Sequence, residues 1–196
     1  MVDLSHHDKA VLNCIFNPSL PLTEAYDEEL NSTIQDVEEE TEEILNAKEL
    51  EIEAINRAEK GDLENALNIL NEALNIAPQK ASLYNNRAQI YQLKFMENGN
   101  YQNDFYFLNL NSFLEAFLDL TKAIELARNN QKRTLCQSLC QRGLLYRKRE
   151  QNDSARDDFD EASKLGSQFA KSQLVELNPY AALCNQMLRK VMNDLK

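Results

Sequence analysis

Small and large apolar residues alternate along the middle of this chain at intervals that neither a strand nor a lone helix requires. Ala54 is followed by Ala66 twelve residues later, by Ala73 seven further on and by Pro78 after five more, and Ala88 lies 34 residues beyond Ala54. The same steps recur in Gly143, Ala155 and Ala162, and Ala116 and Ala123 keep the seven-residue interval. Small side chains so placed let two antiparallel helices approach closely, while larger ones fill between them: Leu50, Leu67 and Leu70; Tyr84, Tyr91 and Leu120; Leu139, Tyr146 and Phe159. Gly61-Asp62 falls at the expected turn of the first hairpin, and Pro78 closes it. The pattern predicts an all-α chain of three helix-turn-helix units at about 47–80, 81–131 and 136–169. Three stacked units are about the fewest expected to stand alone.

The second unit breaks the spacing. Ala88 to Ala116 is 28 residues where the other units have twelve, so sixteen extra residues lie within Lys94–Glu115. This stretch carries Phe95, Tyr101, Phe105, Tyr106, Phe107 and Phe113. Three readings stay open from the sequence. The aromatics extend the second helix and cover a neighbouring repeat, they form an exposed contact patch, or the fold tolerates them in a loop, whose length is cheap. The first reading puts Phe113 and Phe117 on the second helix of the unit, Phe105–Leu110 over a neighbouring surface and Gly99-Asn100 at the turn.

Outside the repeats the pattern changes. Ala10, Val11, Leu12, Ile15 and Phe16 make an apolar face of helical spacing, ended by Asn17-Pro18. Residues 1–22 are therefore an apolar segment, expected to dock on the chain's own repeats; capture by a partner is the competing reading. Residues 23–43 read as an acidic linker, followed by the three-repeat domain over 44–177. Ser167–Leu177 reads as a further helix after Gly166, and Asn178-Pro179 caps and starts another. There Leu183, Cys184, Met187, Leu188, Val191, Met192 and Leu195 form the stripe of a capping helix over 178–196.

Charge sharpens this division. The 196 residues carry a formal charge of -11, and ten acids with no Lys or Arg lie between Glu24 and Glu43. The acidity belongs to one segment, whose end, Glu42-Glu43, puts carboxylates in the first turn of the next helix, where the dipole favours them. So negative a chain is not expected to bind nucleic acid or an anionic membrane. No apolar run is long enough to span a bilayer, and the N-terminus lacks the pattern of a secretory signal, so a cytoplasmic protein is expected.

No catalytic set emerges. His6 and His7 are the two histidines, both near the N-terminus. Cys136 and Cys140 are one helical turn apart but have no second pair of matching spacing, and Cys14 and Cys184 stand alone. Buried thiols in a reducing compartment fit better than a metal site. No Gly-rich phosphate loop is present, so no cofactor is expected.

The 34-residue period resembles the tetratricopeptide repeat, whose units stack into a superhelix. "AVLNCIFNP" at 10–18, "ASLYNNRAQ" at 81–89, "QRGLLYR" at 141–147 and "NPYAALCNQML" at 178–188 together resemble the tetratricopeptide repeat protein 36 family, also described as Hsp70-binding. The resemblance implies a non-enzymatic protein-binding adaptor associated with Hsp70-type chaperones. It also implies two alternatives: a stabiliser of a metabolic enzyme of tyrosine catabolism, and a ciliary assembly factor.

Chaperone-binding repeats of this kind clamp a C-terminal carboxylate with residues from the first helices of three repeats. Here Asn86 matches the clamp asparagine of the middle repeat. The basic-and-amide positions of the first repeat fall on Glu51 and Ile55, and the basic positions of the third fall on Gln137 and Gln141. A carboxylate needs cations or converging donors to offset its desolvation. Glu51 is expected to repel an acidic tail, so Asn86 reads as a groove-lining donor or a packing residue rather than part of a working clamp. The concave side is expected to present Ile55, Leu144 and Cys140 with Asn85 and Gln89 between them, a mixed apolar and amide surface suited to a short helix or an extended chain.

Overall fold

The computed structural model describes residues 36–37, 41–97, 105–178 and 187. Among these lie seven helices: α1 (Glu42–Glu59), α2 (Leu63–Ile76), α3 (Ala81–Glu97), α4 (Phe105–Ala127), α5 (Lys132–Lys148), α6 (Asn152–Lys164) and α7 (Gln168–Glu176). Each packs on its sequence neighbour, giving the hairpins α1–α2, α3–α4 and α5–α6 with α7 on α6. The first helices of the hairpins also touch one another, α1 to α3 and α3 to α5. This is the all-α tetratricopeptide repeat architecture that the 34-residue period predicts.

The small residues sit where the helices cross. Ala54, Ala66, Ala73, Ala88, Ala116, Ala123, Ala155 and Ala162 are all fully buried. Gly143 is the limiting case, because a Cβ built there would lie 2.7 Å from the Phe159 ring. Phe159 itself is fully buried, so the ring fills the space that the glycine leaves. Turns follow the same register. Gly61 has φ +82° and Glu150, seven residues after Gly143 as Gly61 is seven after Ala54, has φ +60°. Left-handed backbone reverses both hairpins, at no cost for glycine and at some cost for glutamate.

Caps explain where the helices begin. Thr41 Oγ1 accepts from the Ile44 N–H at 3.3 Å, with Glu42 and Glu43 in the first turn of α1. Ser167 Oγ accepts from the Ala170 N–H at 2.9 Å and starts α7, just after Gly166 at φ +108°. Gln131, the residue before α5, makes no side-chain cap. Its place is taken from 97 residues away: Asp36 Oδ1 accepts from the Arg133 N–H at 2.8 Å and Oδ2 accepts from Thr134 Oγ1 at 2.6 Å. A backbone bridge between Asp36 and Gln131 and a Val37 N–H bond to the Asn130 carbonyl, 3.0 Å, complete the junction. The acidic segment expected as a linker is thus anchored at Asp36, because its carboxylate satisfies orphan donors at a positive helix end.

The sixteen-residue insertion lengthens the second helix of the second hairpin: α4 has 23 residues where α2 and α6 have 14 and 13, while α3 has 17, as α5 does. Phe113 is buried with Ala88, Ala116, Leu120 and Leu145, and Phe95 packs edge-on against it with ring centroids 6.0 Å apart. Phe117 meets Tyr146 of α5 at 5.2 Å. The end of α5 leans on the same aromatics, with Lys148 Nζ 5.3 Å from the Phe95 ring and Arg149 5.6 Å from the Phe113 ring. Phe95, Phe113 and Phe117 therefore pack within the hairpin and against α5, and α4 continues N-terminally beyond Phe113 and Phe117 to Phe105. The turn expected at Gly99-Asn100, the side chains of Phe105–Leu110, the apolar segment 1–22 and the capping helix over 178–196 (Asn178 and Met187 apart) lie outside what is described.

Candidate functional site

α1, α3 and α5 share one side of the stack, and their facing side chains follow from helical spacing. On α3, Ser82, Asn86, Gln89 and Leu93 fall at i, i+4, i+7 and i+11, and all four are half-buried. On α5 the matching face holds Thr134, Gln137, Gln141, Leu144 and Lys148, and on α1 it holds Glu51 and Ile55. Seven of the eight site residues expected from sequence are thus brought to one side, at two depths, and the eighth, Asn85, lies one residue off the α3 face and is buried.

The deeper layer is a hydrogen-bonded chain that crosses all three helices. Glu51 is 6% exposed and its carboxylate accepts from Asn86 Nδ2 at 2.7 Å, while Lys80 Nζ, also 6% exposed, lies 3.2 Å from its other oxygen. Lys80 in turn donates to Ser82 Oγ at 2.7 Å. Asn85 Nδ2 donates to Asn86 Oδ1 at 3.4 Å, and Asn85 Oδ1 accepts from Ser138 Oγ at 2.9 Å and from Gln141 Nε2 at 3.2 Å. Gln92 Nε2 closes the chain on Gln141 Oε1 at 2.8 Å. Buried amides persist only when partnered, and here they partner one another across the repeats.

Three expectations change with this geometry. Asn85 and Gln141, expected as groove-lining groups, are buried under the surface, because their polar atoms are spent on Ser138, Gln92 and each other. Glu51, expected to repel an acidic ligand, is neutralised by Lys80, so its charge is largely spent inside the fold. Cys140, expected on the concave side, is fully buried with Sγ 3.4 Å from Ser167 Oγ, and Cys136 Sγ lies 3.8 Å from the Ala162 carbonyl. Both thiols therefore turn toward α6 and α7.

The accessible layer is left to Ile55, Asn86, Gln89, Gln137 and Leu144. Ile55 is 39% exposed and Ile52 beside it on α1 is 53% exposed. Among the described residues the side-chain amides of Gln89 and Gln137 make no hydrogen bond, so they are available to a bound chain. At the far end of α5, desolvation by burial pushes the Lys148 ammonium below its ordinary pKa. Sequence reasoning missed Lys80, Gln92, Ser138 and Lys148. Helical spacing could have found Lys148, which lies four residues after Leu144; nothing in the sequence marked the other three as partners. Among the described residues no helix is long and apolar enough to cross a membrane, and no group of His, Cys, Asp and Glu is placed to hold a metal ion.

The whole chain, not the repeats alone, has relatives. It is 45% identical over 196 residues to the Tetratricopeptide repeat protein 36 homolog of Drosophila melanogaster, covering 98% of this chain and 96% of that protein. The chain belongs to the tetratricopeptide repeat protein 36 family. Other members are Tetratricopeptide repeat protein 36 of Danio rerio, 42% identical with 98% and 95% of the two chains covered, and of Homo sapiens, 39% identical with 97% and 95% covered. No family-wide sequence profile matches the chain. Solved tetratricopeptide repeat domains share the fold of this family member. The N-terminal domain of stress-induced protein-1 from C. elegans matches with a TM-score of 0.56 at 16% identity, covering 70% of this chain and 98% of that one. The first repeat domain of Spaghetti (RPAP3), solved bound to the HSP90 peptide SRMEEVD, matches at 0.53 and 18% identity, covering 69% and 95%.

Proposed function

We propose that this protein is a non-enzymatic, protein-binding adaptor associated with Hsp70-type chaperones in the cytoplasm, and that its concave face takes an extended or helical segment by side-chain and backbone contacts rather than by gripping a terminal carboxylate. One observation carries this reading. The positions that would make a carboxylate clamp are either neutral or already bonded: Glu51 to Lys80 and Asn86, and Gln141 to Asn85 and Gln92. What remains open to a partner is mixed, with Ile52, Ile55 and Leu144 supplying apolar contact and Gln89 and Gln137 supplying free amides.

Two measurements test it. A synthetic peptide ending in Glu-Glu-Val-Asp, titrated by calorimetry, should bind with a dissociation constant above about 100 μM, because two or three charge-assisted contacts of about 1.5–3 kcal/mol each are missing. Low-micromolar binding would sink the reading of the groove. Full-length protein should recover Hsp70-type chaperones from lysate, and Gln89→Ala with Gln137→Ala should reduce that recovery. Capture of one dominant metabolic enzyme, such as one of tyrosine catabolism, or of ciliary components, with no chaperone, would replace the chaperone association with a client-specific role.

A further inference from the structure

We propose that the cavity beside the start of α5 is a second protein-binding site, which takes an arginine side chain from an apolar segment of a partner protein. It lies at the loop ends of the first two hairpins and shares no accessible residue with the concave face, so it does not rest on the chaperone reading.

The cavity measures about 520 Å³, within the size range of ligand sites. Three pieces of chain meet around it: the first turn of α1, the turn between α2 and α3, and the turn between α4 and α5. Ile44, Ile76 and Leu126 line it with apolar surface, and Val37, which also lines it, is 69% exposed. So open a cavity suits a side chain delivered from another molecule better than a small molecule, which must be enclosed to be held.

One polar group in the lining lacks a partner. The Gln131 amide oxygen is the one buried side-chain nitrogen or oxygen among the described residues that makes no hydrogen bond. The cause is local. Gln131 stands immediately before α5, yet Asp36 already accepts from the Arg133 and Thr134 N–H groups that Gln131 would otherwise cap. Buried polar atoms without partners are rare in native folds, and a donor entering the cavity supplies the missing bond once the amide turns toward it.

Charge makes that donor a cation. Glu43 lines the cavity, is exposed and has no ion-pair partner among the described residues. Lys80 also lines it, but Glu51 neutralises its ammonium at 3.2 Å. The segment that brings Val37 and Glu43 to the cavity is the acidic one, with ten acids and no Lys or Arg between Glu24 and Glu43. A guanidinium fits better than an ammonium, because its planar fork of donors can meet several acceptors at once: the Glu43 carboxylate and the amide oxygens of Gln79, Asn129 and Gln131. Its aliphatic stem can lie on Ile44, Ile76 and Leu126.

The test follows amide NMR spectra of full-length, isotope-labelled protein against two synthetic peptides: acetyl-Leu-Arg-Leu-amide, and the same peptide with citrulline, the neutral isostere of arginine. The arginine peptide should shift the Ile44, Leu126 and Gln131 signals saturably, with a dissociation constant of about 1 mM, as one anchoring side chain allows. Citrulline should weaken binding about tenfold, and Glu43→Gln about threefold. Gln131→Leu should weaken it too while leaving the thermal melt unchanged or higher, because that amide oxygen bonds to nothing among the described residues. Equal binding of the two peptides, shifts confined to Gln89 and Gln137 on the concave face, or no saturable shift would each overturn the site. Arginine amide binding as tightly as the peptide would make the ligand a free guanidinium and overturn its delivery by a partner. Recovery of a chaperone depends on none of these outcomes, so the two proposals fail separately.

Discussion

Arg87 holds both carboxylate oxygens of Asp119, with Nε and Nη2 each 2.7 Å from an oxygen. Arg142 holds Asp158 in the same fork, at 2.8 and 2.7 Å. The partners are 32 residues apart in the second hairpin and 16 in the third, and the difference is the length of the insertion. Sixteen residues thus enter the second repeat without moving the pair that staples its two helices. Hydrogen bonding to the carboxylates of Asp119 and Asp158 raises the pKa of Arg87 and Arg142, respectively, as expected of a cation held by its partner.

Breaking the fork on one side should cost more than removing it. Asp158→Ala leaves the Arg142 guanidinium half-buried without its partner and should lower stability by about 3 kcal/mol. Replacing both, with Arg142→Met and Asp158→Leu, should cost about 1 kcal/mol, because no charge is then left unpaired. Urea denaturation of the single and double variants measures the difference; equal losses would show that the fork contributes only packing.

Gly143→Ala sets two effects against each other. Alanine in a helix interior gains about 1 kcal/mol over glycine, but its Cβ would stand 2.7 Å from the Phe159 ring. Overpacking of this kind costs about 1–3 kcal/mol, so a net loss is expected. Phe159→Leu introduced into the Gly143→Ala background should recover part of it. Recovery measured in thermal melts ties the loss to that ring.

Asp36→Ala removes the only side-chain cap that α5 has among the described residues. Stability should fall by about 1–2 kcal/mol. Amide exchange at Arg133 and Thr134 should quicken before the rest of α5 is affected. Asn can still accept from the backbone, so Asp36→Asn should lose less.

Excising residues 96–111 restores the twelve-residue spacing while keeping Phe95, Phe113 and Phe117. The shortened protein should remain folded and soluble with a cooperative melt, since the Arg87–Asp119 fork and the contacts of Ala88 and Ala116 survive. Phe113→Ala in the full chain is the more damaging change, at about 3–4 kcal/mol, because that ring is 8% exposed among Ala88, Leu120 and Leu145. A broad, low-temperature melt in the shortened chain would show that the extension itself supplies core.

The helices, their pairing and the turn at Gly61-Asp62 were legible in the order of residues, whereas the left-handed Glu150 carries no such signal. Close approach of two helices demands a small side chain at the crossing, and Ala54, Ala66, Ala88, Ala116, Ala155 and Gly143 declare those crossings without any structure. Gly61 and Gly166 mark reversals because left-handed backbone suits glycine. The number of extra residues in the second repeat was legible for the same reason, as a change in an otherwise constant interval. These are local properties, or periodic ones, and a sequence carries both directly.

What the tertiary structure decided is which polar groups face out and which face one another. Asn85, Asn86, Gln137 and Gln141 look alike in sequence, yet Asn85 and Gln141 are buried against each other while Gln137 is left open. Glu51 reads as a repulsive charge until Lys80, twenty-nine residues later, is placed 3.2 Å from it. Asp36 is one acid among ten until its carboxylate is found at the head of α5. A hydrogen bond depends on distance and angle between atoms that the chain brings together from far apart. No spacing along the sequence encodes that meeting, so the partners of these groups appear only once the repeats are stacked.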